Sequence, residues 1–87
     1  MTQPAIAVYM SAWCPYCQRA VALLTAKNVA FTQINVDDDS AQRKDMIARS
    51  GRRSVPQIFI GEKHVGGCDD LVALDGTGEL DRLLEGA

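Results

Sequence analysis

The sequence predicts an α/β fold, a four-stranded mixed sheet flanked by helices in the order β-α-β-α-β-β-α-α. Three observations lead there. Two strand-like runs, Ala5–Met10 and Phe31–Val36, are separated by a segment with apolar residues at helical spacing, which makes them parallel neighbours joined by a right-handed crossover. Two shorter runs, Gln57–Ile60 and Lys63–Val65, are separated only by Gly61-Glu62, the pattern of an antiparallel hairpin. After the hairpin, leucines return at helical spacing to the end of the chain.

Each element has its own warrant. Ala5-Ile6-Ala7-Val8-Tyr9-Met10 is continuously apolar, as expected of a strand covered on both faces. Pro15 fits the first helical position, where its missing N–H costs nothing. From Gln18 onward Ala20, Leu23, Leu24 and Lys27 keep helical spacing, and Asn28 is a left-handed stop. Phe31-Thr32-Gln33-Ile34-Asn35-Val36 alternates apolar and polar, the pattern of a second strand. Asp37-Asp38-Asp39-Ser40 supplies acids and a cap to the second helix, with Gln42 three residues after Asp39 as its reciprocal partner. That helix ends at Ser50-Gly51. Gly66-Gly67 leads into a helix of Leu71, Val72 and Leu74 closed by Gly76, and Leu80, Leu83 and Leu84 form the last one.

With 87 residues there is room for a single domain, residues 1–87, around one core. At 47% hydrophobic and 23% charged the chain is neither disordered nor collagen-like. No apolar run approaches the ~20 residues that span a bilayer, so no membrane role is expected. The first ten residues lack a basic n-region and a cleavable apolar stretch, so the expectation is a cytoplasmic protein. Residues 1–61 carry a charge balance of +3 and residues 62–87 one of −5. Five basic residues lie between Arg43 and Arg53, a solvated helix face or a field for a small anion. Nucleic acid is not an expected partner, because the pI is about 5.1 and aromatics do not interleave with the basic residues. A monomer is expected.

Three cysteines do not make a disulfide framework, and Cys14 and Cys17 are only three apart, which points to thiol chemistry or metal binding in a reducing compartment. Cys14-Pro15-Tyr16-Cys17 lies where the first strand meets the first helix. With Pro15 as the first helical residue, Cys14 is the N-cap, facing free backbone N–H groups and the positive end of the helix dipole. Both favour the thiolate, which is the nucleophile. Cys17, one turn in, is placed to attack a mixed disulfide held on Cys14, the second half of thiol–disulfide exchange. The competing reading is a zinc site of Cys14, Cys17, His64 and Cys68, since the last two are spaced H-x₃-C. Against it, 46 residues separate the two halves (Cys17 to His64), and the strand–CxxC–helix context is that of redox proteins.

At this point the sequence resembles a known family. Cys14-Pro15-Tyr16-Cys17, Ser54-Val55-Pro56 and Gly66-Gly67-Cys68-Asp69-Asp70 are similar, in order and spacing, to three motifs of dithiol glutaredoxins of the small bacterial type. The resemblance runs from about Ala5 to Leu84 and implies a thioredoxin-like fold. It also implies a glutathione site with no tightly bound cofactor and no metal, glutathione being the co-substrate. By that resemblance Tyr16 flanks glutathione, the Val55 backbone pairs with its cysteinyl part, and Pro56 is cis, with Ser54 in the same segment. Gly67 and Asp69 match positions at the γ-glutamyl end, beside Cys68, while simple helix capping is the other reading for Asp69 and Asp70.

The implied activity is glutathione-dependent reduction of protein disulfides and glutathione mixed disulfides, with disulfide-containing or glutathionylated proteins as partners. A thioredoxin-like redoxin served by a flavoprotein reductase is an alternative that Trp13 favours and Pro15-Tyr16 opposes. A zinc or iron–sulfur module is another. Cys68 is expected to be a small buried residue rather than a third redox thiol, and His64 an ordinary surface residue. One departure stands out. Many dithiol members carry Lys three residues before the first cysteine, where this chain has Ser11; Arg52 and Arg53 are candidates to replace its charge, a question the sequence leaves open.

Overall fold

Four strands, β1 (Ile6–Met10), β2 (Thr32–Asn35), β3 (Gln57–Ile60) and β4 (Lys63–Gly66), form a mixed sheet in the computed structural model, which describes residues 4–85. Their spatial order is β2-β1-β3-β4. The crossover pair β1–β2 is parallel, with Ala7 opposite Thr32 and Met10 opposite Asn35. Strand β3 runs antiparallel to β1, and the tight turn after it makes β4 antiparallel to β3. The helices are α1 (Pro15–Ala26), α2 (Ser40–Ser50), α3 (Cys68–Thr77) and α4 (Glu79–Leu84). This is the expected element order.

Period-two alternation along the central strands gives each sheet face its own core. Ile6, Val8, Ile58 and Ile60 pack with Ala20 and Leu24 of α1, Leu71 of α3, and Leu80 and Leu84 of α4. On the other face Tyr9 and Phe59 pack with Val36 and with Met46 of α2. Tyr9 looked like one more apolar residue of β1, but its hydroxyl needs partners once buried. Helix α2 supplies both: the hydroxyl donates to Asp45 Oδ2 at 2.5 Å and accepts from Arg49 Nη1 at 2.9 Å. The Arg49 guanidinium also lies 4.1 Å from the Phe59 ring centre. Part of the basic run is therefore an anchor between α2 and the sheet rather than a free field.

The helix ends follow local chemistry. Asp39 caps α2 by accepting the Gln42 backbone N–H at 3.1 Å, and Asn28, just past α1, has φ of 59°. The third helix departs from expectation. It begins at Cys68, passes through Gly76 and ends at Thr77, with Gly78 rather than Gly76 in the left-handed conformation at φ of 81°. Two glycines in three residues each offer a stop, and the exposed position of Gly76 within the helix tolerates one for roughly 1 kcal/mol. Among the described residues no helix is long and apolar enough to cross a membrane.

Candidate active site

The β1–α1 elbow holds the cysteine pair. Cys14 has extended φ and ψ of −97° and 112°, the N-cap geometry, and its Sγ accepts the Cys17 N–H at 3.2 Å. Its own N–H donates to the Ser11 carbonyl at 3.3 Å, which closes the turn. Cys14 is partly exposed, whereas Cys17 is fully buried. Burial, followed by the hydrogen bond to Cys14, pushes the Cys17 thiol up to about 12. One sulfur is thus reachable with a donor aimed at it, and the other is held as a thiol directly behind. That asymmetry is what sequential exchange requires.

A residue the sequence reading placed only among capping acids fixes the elbow. Asp37 Oδ2 accepts the Ser11 hydroxyl at 2.8 Å and the Ala12 N–H at 3.3 Å. The signal was latent in the parallel register. With Met10 opposite Asn35 and the Val36 N–H on the Met10 carbonyl, Asp37 must come alongside the Ser11-Ala12 turn. Ser11, where the family pattern has lysine, therefore carries a hydroxyl engaged by an acid.

Beside Cys14 opens a cavity of about 220 Å³. Tyr16 of α1, Arg52, the Ser54-Val55-Pro56-Gln57 approach to β3, and Gly67 to Asp70 at the start of α3 line it. The Val55–Pro56 peptide is cis, and the Cys14 thiol donates to the Val55 carbonyl at 3.8 Å. The structure therefore brings Tyr16, Ser54, Val55, Pro56, Gly67, Cys68 and Asp69 to one cavity, which the Cys14 thiol meets at the Val55 carbonyl. Tyr16 is about half exposed and Trp13 is 90% exposed, so Trp13 covers nothing at the elbow.

The two neighbouring acids separate. Asp70 Oδ2 accepts the Gly67 N–H at 2.9 Å, a cap on α3, and faces Arg52 Nη1 at 3.4 Å. Asp69, exposed on the cavity wall, has no side-chain hydrogen bond or ion pair among the described residues. The capping reading thus belongs to Asp70, and a carboxylate open to a ligand is Asp69. Arg52 lines the cavity in an exposed pair with Asp70. Cys68 is 7% exposed, and burial pushes its thiol up, the behaviour of a small packed residue.

His64 is not an ordinary surface residue. Its ring lies across the β3–β4 pair against Phe59, with ring centres 4.9 Å apart, and its Nε2 is 2.7 Å from Gln57 Oε1. Gln57 is 1% exposed, and its Nε2 donates to the Ser54 carbonyl at 3.0 Å and the Ser54 hydroxyl at 3.3 Å. Nothing in the sequence marked Gln57, because a glutamine beginning a strand is ordinary. The imidazole is directed at Gln57 rather than at the cysteines, and no three His, Cys, Asp or Glu side chains among the described residues group as metal ligands.

Comparison with known proteins agrees with this geometry. The glutaredoxin family model matches residues 6–65. The chain is 54% identical over 80 residues to glutaredoxin 3 of Escherichia coli strain K12, covering 92% of this chain and 96% of that protein. The solution structure of glutaredoxin from Brucella melitensis superposes with a TM-score of 0.84 at 48% identity, over 97% of this chain and 91% of that one. A crystal structure of a buckwheat glutaredoxin–glutathione complex superposes with a TM-score of 0.86 at 29% identity, over 94% and 77% of the two chains.

Proposed function

This chain belongs to the glutaredoxin family of thiol–disulfide oxidoreductases, and we propose that it uses glutathione as co-substrate to reduce glutathione mixed disulfides and protein disulfides. The observation that carries the proposal is the cavity running from Cys14 past the Val55 carbonyl to Asp69. The Val55 backbone and the Asp69 carboxylate line it, and the Cys14 sulfur lies against the Val55 carbonyl. A tripeptide thiol offers the complement: a sulfur, a peptide backbone, and an ammonium at its γ-glutamyl end. The glutathione-bound buckwheat relative supports the same ligand.

In the proposed reaction the Cys14 thiolate attacks the glutathione sulfur of a mixed disulfide. The substrate leaves as a thiol, and a disulfide joins Cys14 to glutathione. A free glutathione, as thiolate, attacks that glutathione's sulfur, releases oxidised glutathione and restores Cys14; one free glutathione is consumed, and the other half of the oxidised glutathione is the glutathionyl group taken from the substrate. With a protein disulfide, Cys17 attacks Cys14 Sγ and expels the protein's remaining sulfur as a thiol. Two glutathiones then reduce the Cys14–Cys17 disulfide. Burial is the largest influence raising the Cys17 thiol, and the smaller ones from Cys14, a hydrogen bond and a charge, change when Cys14 enters a disulfide. The chain acts as a single domain and a monomer in the reducing cytoplasm, without a tightly bound cofactor.

The test is turnover of a glutathionylated small disulfide with glutathione, glutathione reductase and NADPH. Wild type should saturate with glutathione, and thioredoxin reductase should not substitute. In the same assay Asp69→Asn should raise KM for glutathione about five- to tenfold with kcat changed less than twofold, because a charge-assisted contact made alike in ground and transition states is lost. Asp70→Asn should chiefly lower thermal stability, through the weakened α3 cap. An unmoved KM in Asp69→Asn would remove that residue from the binding site.

A further inference from the structure

The Ser54-Val55-Pro56 segment forms one wall of the cavity; Val55 packs against the core and Pro56 is buried, which leaves Ser54 as its exposed end. Ser54 is exposed, and the polar groups that hold it from below are those of Gln57. We propose that His64 is a positioning residue for this wall, acting through the buried Gln57 amide on Ser54. The proposal rests on the reading of the cavity as a glutathione site.

The hydrogen-bond directions follow from chemistry alone. The Ser54 carbonyl can only accept, so the Gln57 group 3.0 Å from it must be the NH₂, and the carbonyl oxygen of the amide must face His64. An oxygen 2.7 Å from His64 Nε2 then requires a proton on that nitrogen. The order is therefore fixed: His64 Nε2–H donates to Gln57, and Gln57 donates to Ser54. His64 is itself located by its cross-strand position opposite Phe59 and the 4.9 Å ring stack. Burial, then the nearby Arg52 charge, lowers its pKa, which favours the neutral ring. Without the imidazole, Gln57 Oε1 would sit buried with no partner, and the amide would be free to turn away from Ser54. Neither residue touches the cavity's sulfur chemistry, which is why the expected effect is on binding.

The experiment compares His64→Phe, His64→Gln and the double change His64→Phe with Gln57→Leu in the full chain. His64→Phe keeps a ring over Phe59 and removes the donor; His64→Gln keeps a donor and removes the ring. In the glutathione-coupled assay His64→Phe should raise KM for glutathione about fivefold, the scale of one lost hydrogen bond, with kcat changed less than twofold. His64→Gln should return KM to within about twofold of wild type. The double variant leaves no buried polar group unpaired, so it should recover thermal stability lost in His64→Phe while keeping the raised KM. That split separates positioning from mere packing, and it keeps the test usable if His64→Phe folds poorly. Proton NMR of the ligand-free protein adds an arm independent of glutathione: the Gln57 side-chain amide protons should exchange about tenfold faster with solvent in His64→Phe. Equal KM in His64→Phe and wild type, or equal losses in His64→Phe and His64→Gln, would overturn the proposal. So would a double variant with normal KM, or amide exchange unchanged by His64→Phe. A wild type that never saturates with glutathione would instead overturn the reading of the cavity, and the NMR arm would still decide whether His64 holds the wall.

Discussion

Cys14→Ser is expected to abolish turnover on every disulfide substrate, a loss on the order of a thousandfold or more, the scale reached when a covalent nucleophile is removed. Cys17→Ser is expected to behave differently on two substrates. It should keep reduction of glutathione mixed disulfides within a few-fold of wild type, because that path needs one protein thiol. It should lose reduction of protein disulfides that need an intramolecular attack to release the substrate. The difference comes from position. Cys14 is the partly exposed cap whose Sγ receives the Cys17 N–H, and Cys17 is the buried residue behind it, with its thiol pushed up to about 12. Steady-state rates on both substrates, for both variants, check the assignment. Equal loss for the two variants on both substrates would contradict it.

Gly66→Ala, one residue before the cavity-lining Gly67, is expected to be the most damaging single methyl added near the site. Gly66 has φ of +117°, which side-chain-bearing residues rarely adopt, and an added Cβ would stand 2.8 Å from Asp70 Cγ. Backbone strain costs about 1–3 kcal/mol, and displacing the Asp70 cap about 1 more. A total of about 2–4 kcal/mol corresponds to a fall in Tm of roughly 10–20 °C for a domain of this size. Asp70 also bonds the Gly67 N–H and faces Arg52, so the same methyl should disturb the end of the cavity beside Asp69. Thermal unfolding followed by circular dichroism measures the first effect, and KM for glutathione the second. A Tm within about 2 °C of wild type would show that α3 shifts without cost and that the Asp70 cap is dispensable.

The elements legible in the sequence are those set by local chemistry. Pro15 after a strand-like run located the helix start and, with it, the cap position of Cys14; Asn28 and Gly61-Glu62 located turns through their own backbone preferences. The end of α3 was not legible, since Gly76 and Gly78 are equivalent until packing selects one. Side-chain partners far apart in sequence were harder still. Asp37 on the Ser11-Ala12 turn follows from a parallel register that spacing alone does not give, and Arg49 on Tyr9 requires knowing which face of β1 α2 covers. His64 on Gln57 depends on the β3–β4 pairing and on which face of β3 holds Gln57. The site's composition came from motifs, but its internal division did not. Asp69 and Asp70 are adjacent and identical in type, and only the geometry of Gly66-Gly67 and Arg52 decides which one caps and which one is open.

The central claim is that Cys14 takes up a glutathionyl group beside the cavity that holds it. The most direct measurement is intact-mass and peptide mapping of the Cys17→Ser protein after brief exposure to oxidised glutathione. Attack by Cys14 expels one glutathione thiol and leaves the other half attached, and without Cys17 the adduct cannot be resolved internally. The predicted result is a gain of one glutathionyl group per chain, located on Cys14, removed by added glutathione, and formed more slowly in an Asp69→Asn background. No adduct, or an adduct on Cys68 with Cys14 left free, would contradict the account.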